Sequence, residues 1–254
     1  MARKTKKSVD ANIAFRQEGI KNTVVFRPFI GKDYNAKGRK LLGRRVMVVG
    51  ASHYCKDHFK VETGCSEKCR GYGKRRQPDS NKVWNFGRRC ERFTQVVYEC
   101  YRKYGGEYWF GTFTRFYNSF FDGDGEGPSH SDRIKLLDHM VCTEYMQGVE
   151  GGGPHSNDDA EMAADRNFIE LEKVVAEQKP DVIIFWGPRV WKEVCRHCKT
   201  DDSGPDIQFT KIGGRQVKIV RTPHPSAYGK RGFDRKHFQD QLKEVDVKLV
   251  EKGS

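Results

Sequence analysis

The sequence predicts an α/β fold, a three-layer α/β/α sandwich around a central, mainly four-stranded parallel sheet. Four short apolar runs have the length and composition of buried strands. Segments with helical periodicity separate these runs along the chain. Because strands that alternate with helices are joined by right-handed crossovers, the pattern favours a parallel sheet that is covered on both faces.

The four predicted strands lie at residues 45–50, 134–145, 181–187 and 216–223. They read RVMVVG, IKLLDHMVCTEY, DVIIFWG and QVKIVRTP. Continuous apolar runs of this kind, as opposed to alternating ones, indicate strands that are buried on both faces.

The four predicted helices lie at residues 90–105, 156–180, 188–199 and 233–252. Ser156 and Asp159 resemble a capping box at the start of the second helix, and Pro180 follows its last residue. Pro188 suits the first position of the third helix, because a proline there loses no intrahelical hydrogen bond.

The size and composition of the chain indicate one large domain. Its 254 residues are 36% hydrophobic, which is enough to bury a sizeable core. We expect a basic flexible arm at 1–20 and a single domain at 21–254, with a long basic loop at 56–88. The sequence shows neither a secretory signal nor an apolar run of about 18 residues, so we expect a cytoplasmic protein with no membrane contact.

The charge balance suggests a polyanionic partner. The formal net charge is +13, from 47 Lys and Arg against 34 Asp and Glu. Residues 68–92 hold nine basic side chains and two acidic ones, with Tyr72, Trp84 and Phe86 between them. Because basic side chains bind phosphates and aromatic rings stack on bases, this segment favours a nucleic acid, single- or double-stranded, over a merely solvated surface. The basic residues predicted to contact the nucleic acid are Lys74, Arg75, Arg76, Arg88 and Arg89.

Eight cysteines in a reducing compartment are not expected to form disulfides. Two pairs, Cys65-x3-Cys69 and Cys195-x2-Cys198, have a spacing that a structural zinc or an iron–sulfur cluster can use. Further ligands near the first pair would be Cys55, Cys90 and His58. The alternative is a set of buried thiols, and we therefore predict no metal and no cofactor.

Polar residues follow the predicted strands, where ligands are bound in parallel sheets. The first strand runs into G-A-S-H-Y-C (50–55), and the fourth runs into T-P-H-P-S-A (222–227). Pro223 and Pro225 flank His224 and stiffen the backbone around it. These segments are therefore predicted to line one crevice.

The two motifs resemble those of the uracil-DNA glycosylase superfamily. In that family a glycine-led catalytic motif follows the first strand, and a later strand leads into an H-P-S turn. The segment DVIIFWGPRVWKEV is also similar to the family's third strand, its glycine and the following helix. The resemblance covers roughly residues 40–250. It implies a DNA glycosylase-like protein of base-excision repair, which hydrolyses the N-glycosidic bond of uracil or another deaminated or modified base flipped out of DNA.

The resemblance also implies roles for individual residues. Tyr54 corresponds to an aromatic ring that stacks on the base, and His224 to the histidine that stabilises the departing base. Ser226 corresponds to the serine of a turn that grips phosphate. Backbone groups of Gly50 and Ala51 would meet the base edge.

Two positions depart from the family pattern. Ser52 stands where active members commonly have Asp or Asn, and the adjacent His53 is the candidate to assist or replace it. Glu144 stands nearest the position of an Asn that reads the base edge, with Thr143 as the alternative occupant if the register differs by one. An ionised glutamate offers acceptors only, so it would accept from an exocyclic amine or activate water. The candidate catalytic residues are His224, Ser52, His53 and Glu144.

Two other functions remain open from the sequence. Ser52 favours a non-catalytic nucleic-acid-binding protein on the glycosylase fold, because serine is not a general base by itself. A hydrolase or transferase that acts on a free nucleotide would depend little on the basic segment 68–92.

Overall fold

A six-stranded mixed sheet lies at the centre of the fold. The computed structural model of the chain describes residues 26–51, 53–54, 93–105, 110–123, 127–146, 149–150, 162–227, 229 and 232–251. The strands are β1 (Phe29–Ile30), β2 (Val46–Gly50), β3 (His53–Tyr54), β4 (Met140–Glu144), β5 (Val149–Glu150), β6 (Val182–Trp186), β7 (Ile207–Ile212) and β8 (Arg215–Thr222). The predicted arm at 1–20 and the basic loop at 56–88 lie outside the described residues.

The sheet has the strand order β1-β4-β2-β6-β8-β7. Neighbours among β4, β2, β6 and β8 pair in parallel, whereas β1 and β7 pair antiparallel at the two edges. The short strands β3 and β5 form a separate parallel pair. The α/β class is thus confirmed, but the sheet has six strands and is mixed. The additional edge strand β7 arises because Gly213 and Gly214, both at positive φ, close a tight hairpin with β8.

Seven helices are described on this part of the chain. They are α1 (Tyr34–Leu42), α2 (Phe93–Tyr104), α3 (Gly111–Asn118), α4 (His130–Leu137), α5 (Asp165–Gln178), α6 (Pro188–Cys198) and α7 (Arg235–Glu244). None of them is long and apolar enough to cross a membrane.

The central strands bury both of their faces. Val46 and Val48 of β2 belong to a first core, whereas Met47 and Val49 belong to a second core on the opposite face. The first core is rich in aromatic residues from α2, α3 and α7, among them Tyr98, Tyr101, Phe116, Tyr117 and Phe238. The second core is formed against α5 and α6, with Phe168, Leu171, Val190 and Trp191 among its members. Helices therefore cover both faces of the sheet.

Three predicted elements differ from the structure, and one of them is the helix predicted at 233–252, which ends at Glu244. The predicted strand at 134–145 is a helix followed by a strand, because Ser129 and Asp132 form a capping box that starts α4. The strand itself begins at Met140. The predicted helix at 156–180 begins at Asp165, after the extended residue Ala164, and its predicted capping residues lie outside the described part.

Phe116 of α3 packs between the sheet and α7 in the first core. Its ring contacts Trp186 of β6 at 4.8 Å and Phe238 of α7 at 5.5 Å between centroids. We expect Phe116→Ala to lower the free energy of unfolding by about 3–5 kcal/mol, because it removes a fully buried aromatic ring. Urea denaturation followed by circular dichroism measures this loss.

Phe209→Ala is the matched control, because the side chain of Phe209 is 70% exposed. It should change the free energy of unfolding by about 0.5 kcal/mol or less. Equal losses in the two variants would contradict the assignment of Phe116 to the core.

Candidate functional site

The strand order identifies where a ligand crevice opens. Among the parallel strands, the chain passes from β2 to β4 on one side and then crosses to β6 and β8 on the other. Such a reversal separates the loops that follow the two neighbouring strands, and ligands bind in the crevice outside their carboxyl ends. Here the reversal falls between β2, which ends at Gly50, and β6, which ends at Trp186.

Glu144 lies against the backbone of Gly50 at this edge. The two residues are paired in the ladder between β2 and β4. Because Met140 and Cys142 belong to the first core, the alternation along β4 turns Glu144 to the same side. A Cβ atom added to Gly50 would lie 2.8 Å from Cδ of Glu144, which is too close for a real contact. The absence of a side chain at Gly50 therefore leaves room for the carboxyl group of Glu144.

The carboxyl group of Glu144 is poorly solvated. The residue as a whole is half-buried, yet burial of the carboxyl raises its pKa well above the usual value. Cys142 of the same strand and Tyr98 of α2 lie nearby in the first core. The hydroxyl of Tyr117 is 3.6 Å from Sγ of Cys142. Glu144 thus stands at the boundary between the crevice and a buried group of hydroxyls and a thiol.

His224 lies in the turn that follows β8. Its Nδ1 accepts a hydrogen bond from the backbone N–H of Ser226 at 3.2 Å, and the Ser226 hydroxyl lies 2.6 Å away. Because Nδ1 is an acceptor, the proton of the neutral imidazole is on Nε2. Burial lowers the pKa of His224 and favours this neutral form. The turn therefore presents an imidazole of defined tautomer.

Arg115 fastens this turn to helix α3. Its guanidinium donates to the carbonyl oxygens of Pro225 and Ala227, both at 3.2 Å, and to that of Phe233 at 3.4 Å. The N–H of Ala227 also donates to the carbonyl of His224 at 2.7 Å. The position of the imidazole is thus set by a helix of the core as well as by its own turn.

Aromatic rings connect the surroundings of Glu144 with His224. Tyr98 contacts Phe113 at 5.2 Å, Phe113 contacts Trp186 at 5.9 Å, and Trp186 contacts His224 at 5.7 Å between centroids. Three strand spacings of about 4.8 Å separate the backbones of β4 and β8, which is roughly 14 Å. These rings, called the aromatic wall below, therefore connect the two groups along the first core.

Trp186 adds a polar atom to this wall. Its Nε1 is buried and has no hydrogen-bond partner among the described residues. The sequence motifs did not single out Trp186, although its place as the last residue of a buried strand was the available signal. Phe113 and Arg115 were missed as well, because both belong to a helix that the sequence did not indicate.

The structure brings several of the predicted site residues to one edge. Gly50, Ala51, Glu144 and His224 all lie at or just beyond the carboxyl ends of the parallel strands. The carbonyls of Gly50 and Ala51 accept from the N–H groups of Tyr145 and Met146 at 2.9 and 3.0 Å. These two carbonyls thus extend the pairing of β2 with the chain after β4.

Thr143 is not on the same side as Glu144. The pleat of β4 turns it towards the second core, where it is buried and its hydroxyl has no partner among the described residues.

The backbone of His53 and Tyr54 pairs with Val149 and Glu150. Outside the described residues lie Ser52, Lys74, Arg75, Arg76, Arg88 and Arg89.

The described cysteines give no indication of a metal site. Cys195 is buried and Cys198 partly buried on α6, and both are free thiols. Burial raises the pKa of Cys198 to about 11, so its thiol keeps its proton at neutral pH. Within the described ranges, no group of three or more His, Cys, Asp or Glu residues could hold a metal ion. The pair Cys65 and Cys69 lies outside these ranges.

Comparison with known proteins adds no relative, since neither a protein-family model nor a curated protein matches the chain. Function is therefore inferred from the chemistry of the crevice. The features that matter are the tautomer of His224, the enclosed carboxyl of Glu144 and the aromatic wall between them.

Gly50→Ala should displace the carboxyl of Glu144 at little cost in stability. The added methyl group would meet the end of a flexible side chain, which can move away. We expect the free energy of unfolding to fall by about 1 kcal/mol or less. Thermal or urea unfolding measures this change, and a crystal structure of the variant shows the displacement.

Gly31→Ala is the matched control. A Cβ atom on Gly31 would lie 2.5 Å from the backbone carbonyl oxygen of Leu137, which cannot move independently. That variant should lose about 1–3 kcal/mol. A larger loss in Gly50→Ala than in Gly31→Ala would contradict the assignment of a movable carboxyl at Gly50.

Proposed function

We propose that the crevice binds a nucleobase and that the protein is a DNA glycosylase-like enzyme of base-excision repair. It would hydrolyse the N-glycosidic bond of uracil or of another deaminated or modified base flipped out of DNA. The observation that carries the proposal is the neutral imidazole of His224, which its turn holds with the proton on Nε2. The resemblance of G-A-S-H-Y-C and H-P-S-A to the uracil-DNA glycosylase superfamily supports the same reaction.

A fixed N–H donor suits this chemistry. When the bond between the sugar and the base breaks, its electron pair leaves with the base, and negative charge develops on a base carbonyl oxygen. A donor that is already oriented stabilises this charge without reorganisation. Water supplies the oxygen that bonds to the sugar. The turn at His224 and its attachment through Arg115 meet the requirement for orientation.

The surroundings of His224 suit a flipped base. Trp186 and Phe113 offer an apolar wall next to the imidazole, and such surfaces exclude water and pack against planar rings. The stacking role of Tyr54 remains a prediction from the resemblance. The net charge of +13 and the basic segment 68–92 support DNA as the polyanion that delivers the base. Free thiols at the described cysteines agree with a cytoplasmic setting.

The second candidate is a nucleic-acid-binding protein that does not catalyse. One observation favours it, namely Ser52 in the place where active members of the superfamily have Asp or Asn. Such a protein would bind DNA tightly and in a salt-sensitive manner, yet would produce no abasic sites.

His224→Ala should slow base excision about 10²- to 10³-fold, because it removes the donor that faces the leaving base. The measurement uses labelled single- and double-stranded oligonucleotides that contain uracil, hypoxanthine or xanthine, followed by alkaline cleavage of abasic sites. His139→Ala is the control, because His139 precedes β4 at the opposite end of the sheet. A wild-type protein that binds these oligonucleotides without forming abasic sites would overturn the enzymatic proposal and leave the binding protein.

Replacing Arg75, Arg76, Arg88 and Arg89 together by Ala should weaken DNA binding and reduce its salt dependence. Each phosphate contact that is lost lowers the slope of log K against log salt by about 0.7–0.9. Fluorescence anisotropy at several salt concentrations measures this slope. Unchanged binding and unchanged activity would instead indicate an enzyme that acts on free nucleotides.

A further inference from the structure

An exposed aromatic ring lies on the edge strand β7, away from the crevice. The side chain of Phe209 is 70% exposed, and Ile30 is the other exposed large hydrophobic residue among those that the structure describes. Ile207, two residues earlier on the same face of the strand, packs against the first core. A single exposed apolar residue is common on protein surfaces. The charged groups around Phe209 are what distinguish it.

Charged side chains continue from this ring across the neighbouring elements. Nζ of Lys218 on β8 lies 5.4 Å from the ring centroid of Phe209, and it donates to Oδ2 of Asp246 at 2.8 Å. The guanidinium of Arg44 donates to the same carboxylate oxygen, also at 2.8 Å. The ring and two cations are therefore joined through one shared carboxylate.

Two lysines extend this surface. Lys211 lies on the same face of β7 as Phe209 and is exposed. Lys248 is exposed as well and lies beside Gly43, where an added Cβ atom would be 3.3 Å from Cγ of the lysine. We call the whole set the edge patch, which consists of Arg44, Phe209, Lys211, Lys218, Asp246 and Lys248. Its four basic side chains and one carboxylate give it a net charge of +3.

The edge patch lies towards the end of the sheet opposite to the crevice. Lys218 pairs with Val182, the first residue of β6, and Val182 is level with Val46, the first residue of β2. The crevice opens at the last residues of the same two strands, Gly50 and Trp186. The length of β6 separates the two levels by about 13 Å. A ligand on the edge patch is therefore distinct from a base in the crevice.

An exposed ring beside several cations has the chemistry that binds a single-stranded nucleic acid. An unpaired base stacks on an aromatic ring, and the phosphates next to it bind lysine and arginine side chains. Phe209 offers the ring, and the basic residues of the edge patch supply the positive charge. The bases of a duplex already stack on one another, so a duplex would use the charges alone.

A second copy of the chain fits this surface less well. β7 is an edge strand, and such strands can pair with another chain. Pairing of two copies along β7 would bring two patches of net charge +3 together, and like charges repel. A lysine on an edge strand, such as Lys211, also opposes this pairing. The charge of the edge patch therefore favours a polyanion.

We propose that the edge patch is a second nucleic-acid-binding surface, on which a base of a single strand stacks on Phe209 while the surrounding cations bind its phosphates. The inference goes beyond the proposed function, because it requires neither catalysis nor a base in the crevice. Single-stranded DNA and RNA share this chemistry.

The test is Phe209→Ala, which should leave the fold intact because the side chain is largely exposed. We expect it to bind a labelled oligothymidylate of about ten nucleotides roughly 5- to 100-fold more weakly than the wild type, because base stacking is lost. Phe209→Trp keeps an aromatic ring and should bind within about threefold of the wild type. Ile30→Ala, at the opposite edge of the sheet, is the matched control and should bind as the wild type does. Fluorescence anisotropy measures all four proteins.

The basic segment 68–92 is a separate route to nucleic acid. The comparison is therefore repeated in the variant with four arginines of that segment replaced by alanine, where the loss caused by Phe209→Ala should persist. Replacing Lys211 and Lys248 together by Gln should lower the slope of log K against log salt by about 1.4. A duplex of the same length should bind Phe209→Ala and the wild type equally, and an equal loss on the duplex would contradict stacking.

Ultraviolet cross-linking locates the bound strand. Trypsin releases residues 200–211 as one peptide, in which Phe209 is the only aromatic residue. Mass spectrometry should find thymidylate attached to this peptide in the wild type and not in Phe209→Ala. Oligouridylate in place of oligothymidylate distinguishes RNA from DNA as the source of the strand, and a loss with either one supports the inference.

Equal binding by Phe209→Ala and the wild type in both backgrounds would overturn the inference, and so would a wild type that binds neither oligonucleotide. A dimer that becomes a monomer in Phe209→Ala during sedimentation, with unchanged binding of nucleic acid, would identify an interface between copies instead. Oligothymidylate contains no uracil, so its binding is independent of base excision. If no abasic sites form but the loss in Phe209→Ala is found, the glycosylase proposal fails and the edge patch stands.

Discussion

The close approach of Glu144 to the backbone of Gly50 is the constraint on which the crevice depends. It requires that β2 and β4 pair in parallel with Gly50 opposite Glu144, and that no side chain is present on the former. The register brings the carboxyl to the border between the two halves of the sheet, where the strand order opens a crevice. A shift of β4 by one residue would turn Glu144 into the second core and bring Thr143 to the crevice instead.

The first core supports the part of the site around His224. Phe116 packs against Trp186, and Trp186 packs against the ring of His224. Arg115, one residue before Phe116, holds the carbonyls of the turn that carries the imidazole. Helix α3 therefore both fills the core and orients His224, so the geometry of the crevice and the packing of the core depend on the same eight-residue element.

Part of this arrangement could be read from the sequence. Continuous apolar runs predicted the α/β class, and the rule for ligands in parallel sheets brought Gly50, Glu144 and His224 to one edge. The hairpin of β7 and β8 was missed, although two glycines between runs of strand-forming residues were a usable signal. Helix α3 was not predicted from the sequence, because tertiary contacts of its aromatic residues stabilise it and local helix propensity does not. The enclosure of the Glu144 carboxyl also depends on packing between distant segments, which spacing along the chain does not reveal.

Burial raises the pKa of Glu144 and lowers the pKa of His224, so that each shift favours the uncharged form of the side chain. In these forms the two side chains add no charge of their own to the crevice, although the chain as a whole carries a formal charge of +13. Under the proposed function, attraction to the phosphates of a nucleic acid would depend on charge, whereas discrimination between its bases would depend on short hydrogen bonds. Dissolved ions screen the attraction between charges at distances beyond about 10 Å. They have little effect on short hydrogen bonds between neutral partners. Ionic strength would accordingly govern how often the protein meets a nucleic acid, while leaving its choice among bases nearly constant.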